Sequence, residues 1–568
     1  MLKQEPLSDA LVLESLQVGA HPLIEPLLQR LRLREFLQQG FSPPDPRIKL
    51  AAIDSALVLV RNFTLCRYPL YEVPQWVRGM VPAQLGLEPE QVELINDDRL
   101  GRTLDKLFLT DRRSIVTRLI VHMAKAFELD LQRLHNDSTS ITFSGDYSER
   151  PPRKDGRRCV RITHGHNKDH RPDLKQLVWS LTVTSDGAVP VHYNVFDGNL
   201  TDDQTHIEIW KTLREIVGAA DFVYVADAKL CTRENMGFIH GQGGRFITVL
   251  PRTRKEDARF KRRLVHQAPD WQLIWERPAL RRKKDPPQRF EAVEDPEQSA
   301  EGYRIVWYRS SEKWQRDEQA RDNAIHEARW GLRRLGERVG KRKLKTREQV
   351  QRAVDEILEH SAARAWVRAE LAPRERHTYK QGGPGRPSKN THYVRQTTVV
   401  YEPVTTLDTE AIEASAAADG IFPLVTNIPA EQLSPLDLLT TYKYQAFVEK
   451  RHEQLKTAAE VVPVNYKTPE RIEAFLFLYF IAITLHGLLE RQVREAMKAR
   501  GIRSIPLYPE ERACRAPTAD KLLGLFENLR RHRLFNNGQT VKTFWDPLTD
   551  VQRLVLDLLG ISTTVYGQ

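Results

Sequence analysis

The hydrophobic periodicity changes at His135, and that change limits the fold more than any other feature of the chain. Before it, from Pro6 to about Asp130, the pattern is helical. It is clearest where Asp111 can cap a helix carrying Ile115, Val116, Leu119, Ile120, Met123, Ala126 and Phe127 at spacings of three and four. After it, Ile141 and Phe143 follow a short polar run. Leu177, Trp179, Leu181 and Val183 then alternate, Ser185-Asp186-Gly187 marks a hairpin turn, and Val189, Val191, Tyr193 and Val195 alternate again. A helix is expected near Thr205–Ile216, the strand Phe222–Ala226 next, a helix near Arg233–His240, and the strand Phe246–Leu250. Three antiparallel strands followed by two helix-linked crossovers predict an α/β fold with a mixed sheet.

The chain beyond Leu250 is less regular. Residues 252–290 hold thirteen Lys or Arg against five Asp or Glu, with Trp271 and Trp275 among them, a mixture suited to nucleic acid. A strand is expected at Tyr303–Tyr308 and a long helical stretch from about Glu312 to Glu359, whose segment Arg329–Lys345 has eight bases and one acid. Gln381–Lys389 reads as a Gly/Pro linker, and Asp419–Asn427 as a strand after a turn. Helices are expected from Leu438 to about Glu460, from Pro469 to about Lys498, and as a tail from Ala519 to Leu559. No repeat of fixed period stands out.

With 568 residues and a net charge of +11, the chain can bury several domains and favours a polyanionic partner, phosphate first. Cys66, Cys159, Cys231 and Cys514 lie far apart with no CxxC pair, which argues against a disulfide framework or a thiolate zinc site. The acidic start MLKQEPLSD does not read as an export signal. The apolar run Ala474–Leu485 is short of the roughly 20 residues that span a bilayer and reads as a core helix, so no membrane is expected.

Metal-assisted phosphodiester chemistry needs oxygen ligands converging from different elements, because Mg2+ prefers hard donors and keeps positions open for water and substrate. Asp137 opens the first strand of the sheet. Asp227 ends an apolar strand, where a carboxylate faces the crevice in which open α/β sheets bind ligands. Each alone could equally cap a turn. On one continuous helix, Tyr442, Gln445, Glu449 and Lys456 share an arc of about 60°, a carboxylate flanked by a phenol, an amide and an ammonium. A solvated face with local ion pairs would show the same pattern.

The spacing Tyr442-x2-Gln445-x3-Glu449-x6-Lys456 resembles the Tyr-Arg-Glu-Lys segment of bacterial insertion-sequence DDE transposases, with Gln445 where the family usually has Arg. Gly165–Gln176, Asp197-Gly198-Asn199, Asp227–Leu230 and Asp419-Gly420 resemble the same group. The resemblance implies a ribonuclease H-like mixed sheet split by a large insertion, with a helical N-terminal domain and a helical C-terminal region. It divides the chain into a DNA-binding domain (1–130), a first catalytic part (131–251), a basic mixed α/β insertion (252–420), a second catalytic part with the final Glu helix (421–500) and a helical tail (501–568). Asp137, Asp227 and Glu449 would bind two Mg2+ (or Mn2+) ions, and Tyr442, Gln445 and Lys456 would meet DNA, the uncharged Gln445 weakening its share of the clamp. The implied activity is cleavage at element ends and 3′-hydroxyl strand transfer by a homodimer on paired double-stranded ends, in the bacterial cytoplasm at the nucleoid. A nuclease that does not join, or an inactive DNA-binding derivative, are the alternatives.

Some relatives stack a tryptophan of the insertion on a flipped base. Trp271, Trp275, Trp307, Trp314, Trp330 and Trp366 are all in range, and none is singled out. Weaker features are His164, His166 and His170 in a polar loop, Lys229 and Arg233 after Asp227, and Gly385-Arg386-Pro387, which has the core of a minor-groove hook but sits in an expected linker.

Overall fold

The computed structural model describes residues 11–41, 47–147, 158–168, 171–278, 286–341, 343–461 and 468–568, and at 457–461 the backbone alone. The N-terminal residues 1–10 and His170 lie outside the described residues. Contacts divide the chain into two compact units: Met1–Thr248 with Leu439–Gln568, and Val249–Leu438. Numbered along the chain, the strands are β1 (Leu11–Gln17), β2 (Arg133–Phe143), β3 (Lys175–Thr184), β4 (Pro190–Phe196), β5 (Val223–Val225), β6 (Arg245–Val249), β7 (Gln272–Arg277), β8 (Gln288–Glu294), β9 (Arg304–Ser310), β10 (Val367–Gln381), β11 (Tyr393–Leu407), β12 (Ile421–Thr426), β13 (Arg530–Asn536) and β14 (Gln539–Trp545).

In the first unit the strands lie in the order β4-β3-β2-β5-β6. The first three pair antiparallel, and β2, β5 and β6 run parallel. The mixed α/β sheet expected from the alternation is therefore present. The connections from β4 to β5 and from β5 to β6 are the helices His206–Val217 and Arg233–Gly241, as expected.

The apolar run at Ala474 lies in a 31-residue helix, Pro469–Ala499, started by a proline at its first turn. The helix is long and apolar enough to cross a membrane, yet 94% of its most apolar window is buried inside the protein. It packs on the helices Ala52–Leu65 and Asp97–Phe108 and against β4. Phe480 stacks on Tyr193 at 4.6 Å, and Tyr193 on Trp179 at 4.9 Å, which ties the helix to the sheet. Each such buried side chain contributes roughly 1.5–3 kcal/mol.

Two expectations are corrected here. The N-terminal region is not all-α and the C-terminal tail is not all helical: β1 pairs antiparallel with β13, which pairs with β14. The two chain ends thus share one small sheet, a pairing across some 500 residues that local periodicity does not encode. Two arginines at the start of the helix Arg112–Ala126 are engaged within the protein. Arg112 pairs with Glu473 at 2.8 Å, and Arg113 donates to Thr212 Oγ1 at 3.0 Å. Asp111 caps this helix as expected, accepting from the Ser114 amide.

The second unit orders its strands β12-β9-β8-β7 and carries β10 and β11 as a separate two-stranded ribbon. The long helical stretch divides into Ser311–Gly336 and Arg347–Glu359. Leu332, Leu335, Val339, Val350, Val354, Val367 and Val400 form the core that joins these helices to the root of the ribbon. The expected linker Gln381–Lys389 is the end of β10 and the ribbon's tip.

Candidate active site

Strand register brings the first two acids together. Parallel pairing aligns His135 with Val225; Asp137 stands two residues further along β2, and Asp227 two residues beyond Val225, in the turn after β5. Parallel strands lie about 4.8 Å apart, so the two carboxylates feel each other. Burial first, then Asp227 and Asp202, push the Asp137 carboxyl up to about 7, although Lys168 and the Ser138 amide pull the other way. Asp227 is raised as well, by burial and by Asp202. Its Oδ1 accepts from the Lys229 amide at 3.0 Å, so Asp227 also caps the short turn after β5.

Two members of the cluster were not singled out from the sequence. Asp202 lies in the turn after β4, and Lys168 in the loop before β3. The Lys168 ammonium is 3.1 Å from Asp202 Oδ2 and 3.9 Å from Asp137 Oδ1, and it donates to Ser138 Oγ at 3.1 Å. Burial disfavours its charge, but Asp137 and Asp202 outweigh that and hold it protonated. The signal lay in the motif segments Gly165–Gln176 and Asp197–Asn199, whose role the fold explains. A Cβ on Gly165 would lie 1.9 Å from Gly198 O, and one on Gly198 1.9 Å from Gln176 O. Only glycine permits these backbones to touch, with the Gln176 side-chain amide donating to Gly198 O at 2.7 Å. Asp197 fastens the same junction by accepting from the Arg161 amide and side chain at 2.8 and 2.9 Å. The packing delivers Lys168 to the acids. His164 and His166 are on the same loop and point to no metal cluster among the described residues.

The segment Tyr442–Lys456 is not one helix. A helix Pro435–Lys443 ends, Tyr444 and Gln445 turn, and a second helix runs Ala446–Val461. The shared arc drawn on one continuous helix therefore does not hold across the break. Gln445 is buried and spent on β2: its Nε2 donates to Asn136 O, and its Oε1 lies 3.4 Å from His135 Nδ1. An uncharged amide fits this inward position, where an arginine would bring an unpaired charge. Tyr442 is partly buried. Its phenol is held protonated by burial first and then by Asp227, Asp137 and Glu449, so it lies within the field of all three expected acids.

Glu449 is exposed on the first turn of the second helix. That helix is anchored by Arg451, which donates to Ala188 O at 3.0 Å and pairs with buried Glu490 at 2.9 Å. Four residues on from Val448, His452 Nε2 lies 3.7 Å from Asp137 Oδ2. Burial, with Lys168 adding, lowers its pKa to about 3, so it is neutral.

All the acids here offer oxygen, the donor class that Mg2+ prefers. Among the described residues no three His, Cys, Asp or Glu side chains lie close enough to one another to hold an ion. The acids that act on the Lys168 ammonium are Asp137 and Asp202, which lie within 4 Å of it, and Asp227 through its field. Burial is the main reason the Asp137 carboxyl is raised, with Asp227 and Asp202 adding to it.

Of the insertion tryptophans, Trp307 is core, stacked 3.8 Å from Phe260. Trp275 stacks on Phe290 at 5.2 Å. Trp314 and Trp330 are exposed, at 41% and 55%.

Residues 130–485 match the family model of the transposase DDE domain. Among solved structures, the Mos1 transposase paired-end complex with left transposon end is similar at 11% identity and a TM-score of 0.13, over 35% of this chain and 59% of that one. No curated protein matches the chain. Because the family model covers more than half of the sequence, including the strands that carry Asp137 and Asp227, the chain belongs to the DDE-domain transposases.

Proposed function

We propose that the protein is a transposase in which Asp137, Asp227 and Glu449 carry metal-dependent cleavage at element ends and 3′-hydroxyl strand transfer into target DNA. The observation that carries this reading is the pair Asp137 and Asp227, each two residues past the last aligned pair of β2 and β5 and each raised in pKa chiefly by burial. An antiparallel meander followed by parallel crossovers supports a ribonuclease H-like assignment for the sheet.

Bound Mg2+ or Mn2+ would supply Lewis-acid activation of the phosphodiester and of the attacking oxygen. Asp137 and Asp227 would hold it, with Glu449 closing from its helix. Asp202 keeps Lys168 against the acids, and Lys168 limits their mutual repulsion. Neutral His452 packs beside Asp137 without adding positive charge against the ions. Tyr442 and Lys456 would meet phosphate near the cut, whereas Gln445 fixes the turn that aims them. The helices of residues 11–130 would present element-end DNA to the site, and the basic unit Val249–Leu438 would grip flanking DNA, in a homodimer on paired ends in the cytoplasm.

The test is purified full-length protein on duplexes ending in the inverted repeats that border its coding frame, with Mg2+. Cleavage and joined products are expected from the wild type, and end binding without cleavage from Asp137→Ala, Asp227→Ala or Glu449→Ala. Nicks without joined products would favour a nuclease. Cleavage retained by a variant would remove that residue from the site.

A further inference from the structure

The ribbon of β10 and β11 pairs fifteen residues with fifteen, from Val367–Leu407 at its root to Gln381–Tyr393 at its end. Val367 and Val400 bury the root in the second unit's core. From His377 to Val399 every residue is exposed except Gln381 and Thr391, which are half-buried. Tyr379 and Tyr393 are 65% and 50% exposed, and Val394 is 50% exposed. The last five rungs carry the tip roughly 15 Å past the root. A two-stranded ribbon without a core of its own is marginal in water, so this one is suited to a surface it meets.

Charge indicates what that surface is. At the root, Arg368 pairs with Asp408 and Arg374 with Glu402. From His377 to Val399 there are four Lys or Arg and no Asp or Glu. Among the described residues, no acid or hydrogen-bond partner engages Arg386 or Lys389.

The tip is ordered around Arg386. Gly382 N donates to His392 O at 2.9 Å, closing the ladder. Gln381 Nε2 donates to Gly385 O at 3.0 Å, and the Ser388 amide donates to Thr391 Oγ1 at 2.6 Å. Arg386 and Pro387 stand between these two fastenings. Gly385 has φ +133° and open space around it, so the backbone there is thin and carries no side chain.

We propose that Gly385-Arg386-Pro387 enters the minor groove of A·T-rich duplex DNA, with Lys380, Lys389 and Arg395 on flanking phosphates. That groove is about 6 Å wide and admits one extended strand, while the ribbon behind it is too broad. A·T tracts narrow the groove and deepen its negative potential, which attracts an inserted arginine. In G·C pairs the guanine 2-amino group stands in the way. The inference rests on the reading of the chain as a DNA-acting protein and assigns a further contact outside the acid site.

The test is fluorescence anisotropy of the full-length protein on three duplexes of equal length, centred on A·T, G·C or inosine·cytosine pairs. Inosine·cytosine has the minor groove of A·T and the major groove of G·C. The wild type is expected to bind A·T and inosine·cytosine alike, and about five- to tenfold more tightly than G·C. Arg386→Ala is expected to equalise the three with an unchanged melting temperature, and Arg386→Lys to keep part of the preference. Inosine·cytosine behaving as G·C would overturn the proposal in favour of major-groove reading. A preference that survives Arg386→Ala, or wild-type binding without any preference, would also overturn it. Failure to bind any duplex would instead refute DNA binding itself.

Discussion

Asp137 on β2 and Asp227 in the turn after β5 each stand two residues past the aligned pair His135 and Val225. Two neighbouring carboxylates, both partly buried, cannot both ionise freely.

The first prediction follows from the Asp137 pKa of about 7. A carboxyl raised on folding contributes stability that is complete below its unfolded value near 4 and is lost as pH rises through about 7. Asp137→Asn mimics the protonated form. With a chelator present, its melting temperature should exceed that of the wild type by a margin that opens between about pH 4 and pH 7 and is flat above. Cleavage should fall at least about a hundredfold. A variant less stable than the wild type at pH 8 would mean that the carboxylate is satisfied as it stands.

Divalent ions should compete with that proton. With its carboxyl raised to about 7, Asp137 holds its proton more firmly at pH 6 than at pH 8. The rise in melting temperature caused by Mn2+ should therefore be clearly larger at pH 8 than at pH 6. Equal shifts at both values would separate ion binding from Asp137.

Lys168 offers a third prediction. Its ammonium draws the Asp137 pKa down, so Lys168→Gln should move the midpoint of the pH–cleavage profile upward. A profile that loses height without moving would make Lys168 a scaffold for the loop and nothing more. Gly198→Ala supplies the comparison. It places a Cβ against Gln176 O and should destabilise the protein as well as displace Lys168, seen as a lower melting temperature.

How much of this was legible depended on the reach of each interaction. The order β2 to β6 and its helices followed from alternation and turn residues, which act over a few positions. Asp227 could be proposed because strand ends are readable; Asp137, expected to open its strand, lies within β2, which already starts at Arg133 in what reads as the end of the helical region. Their shared level, and the arrival of Asp202 and Lys168, depend on register and on the Gly165–Gly198 contact, which join segments 33 residues apart. The β1–β13 pair joins Leu11 to Asn536 and left no local sign. Gln381–Lys389 has the composition of a linker because the turn of a hairpin needs the same glycines and prolines. The pattern alone did not reveal the fifteen-residue strands on either side, which are mostly polar.

Gln445 separates positioning from DNA contact. Removing its amide leaves Asn136 O without its donor inside the protein, which costs about 1–3 kcal/mol. Gln445→Ala should therefore lower the melting temperature while the slope of log binding against log salt stays at the wild-type value. A phosphate contact would instead reduce that slope, and a stable variant with a shallower slope would return Gln445 to the DNA surface.

Glu449 should behave unlike Asp137 in one respect and like it in another. It is exposed on the first turn of its helix, where an uncharged substitute changes stability by no more than about 0.5 kcal/mol. Its proposed role is with the ions and DNA, so Glu449→Gln should abolish cleavage while leaving the melting temperature with a chelator unchanged. Adding Mn2+ at pH 8 should then stabilise this variant less than the wild type. If the Mn2+ shift were undiminished and cleavage persisted, the third acid would lie elsewhere, and Asp202, already in the field of Asp137 and Asp227, would be the residue to replace next.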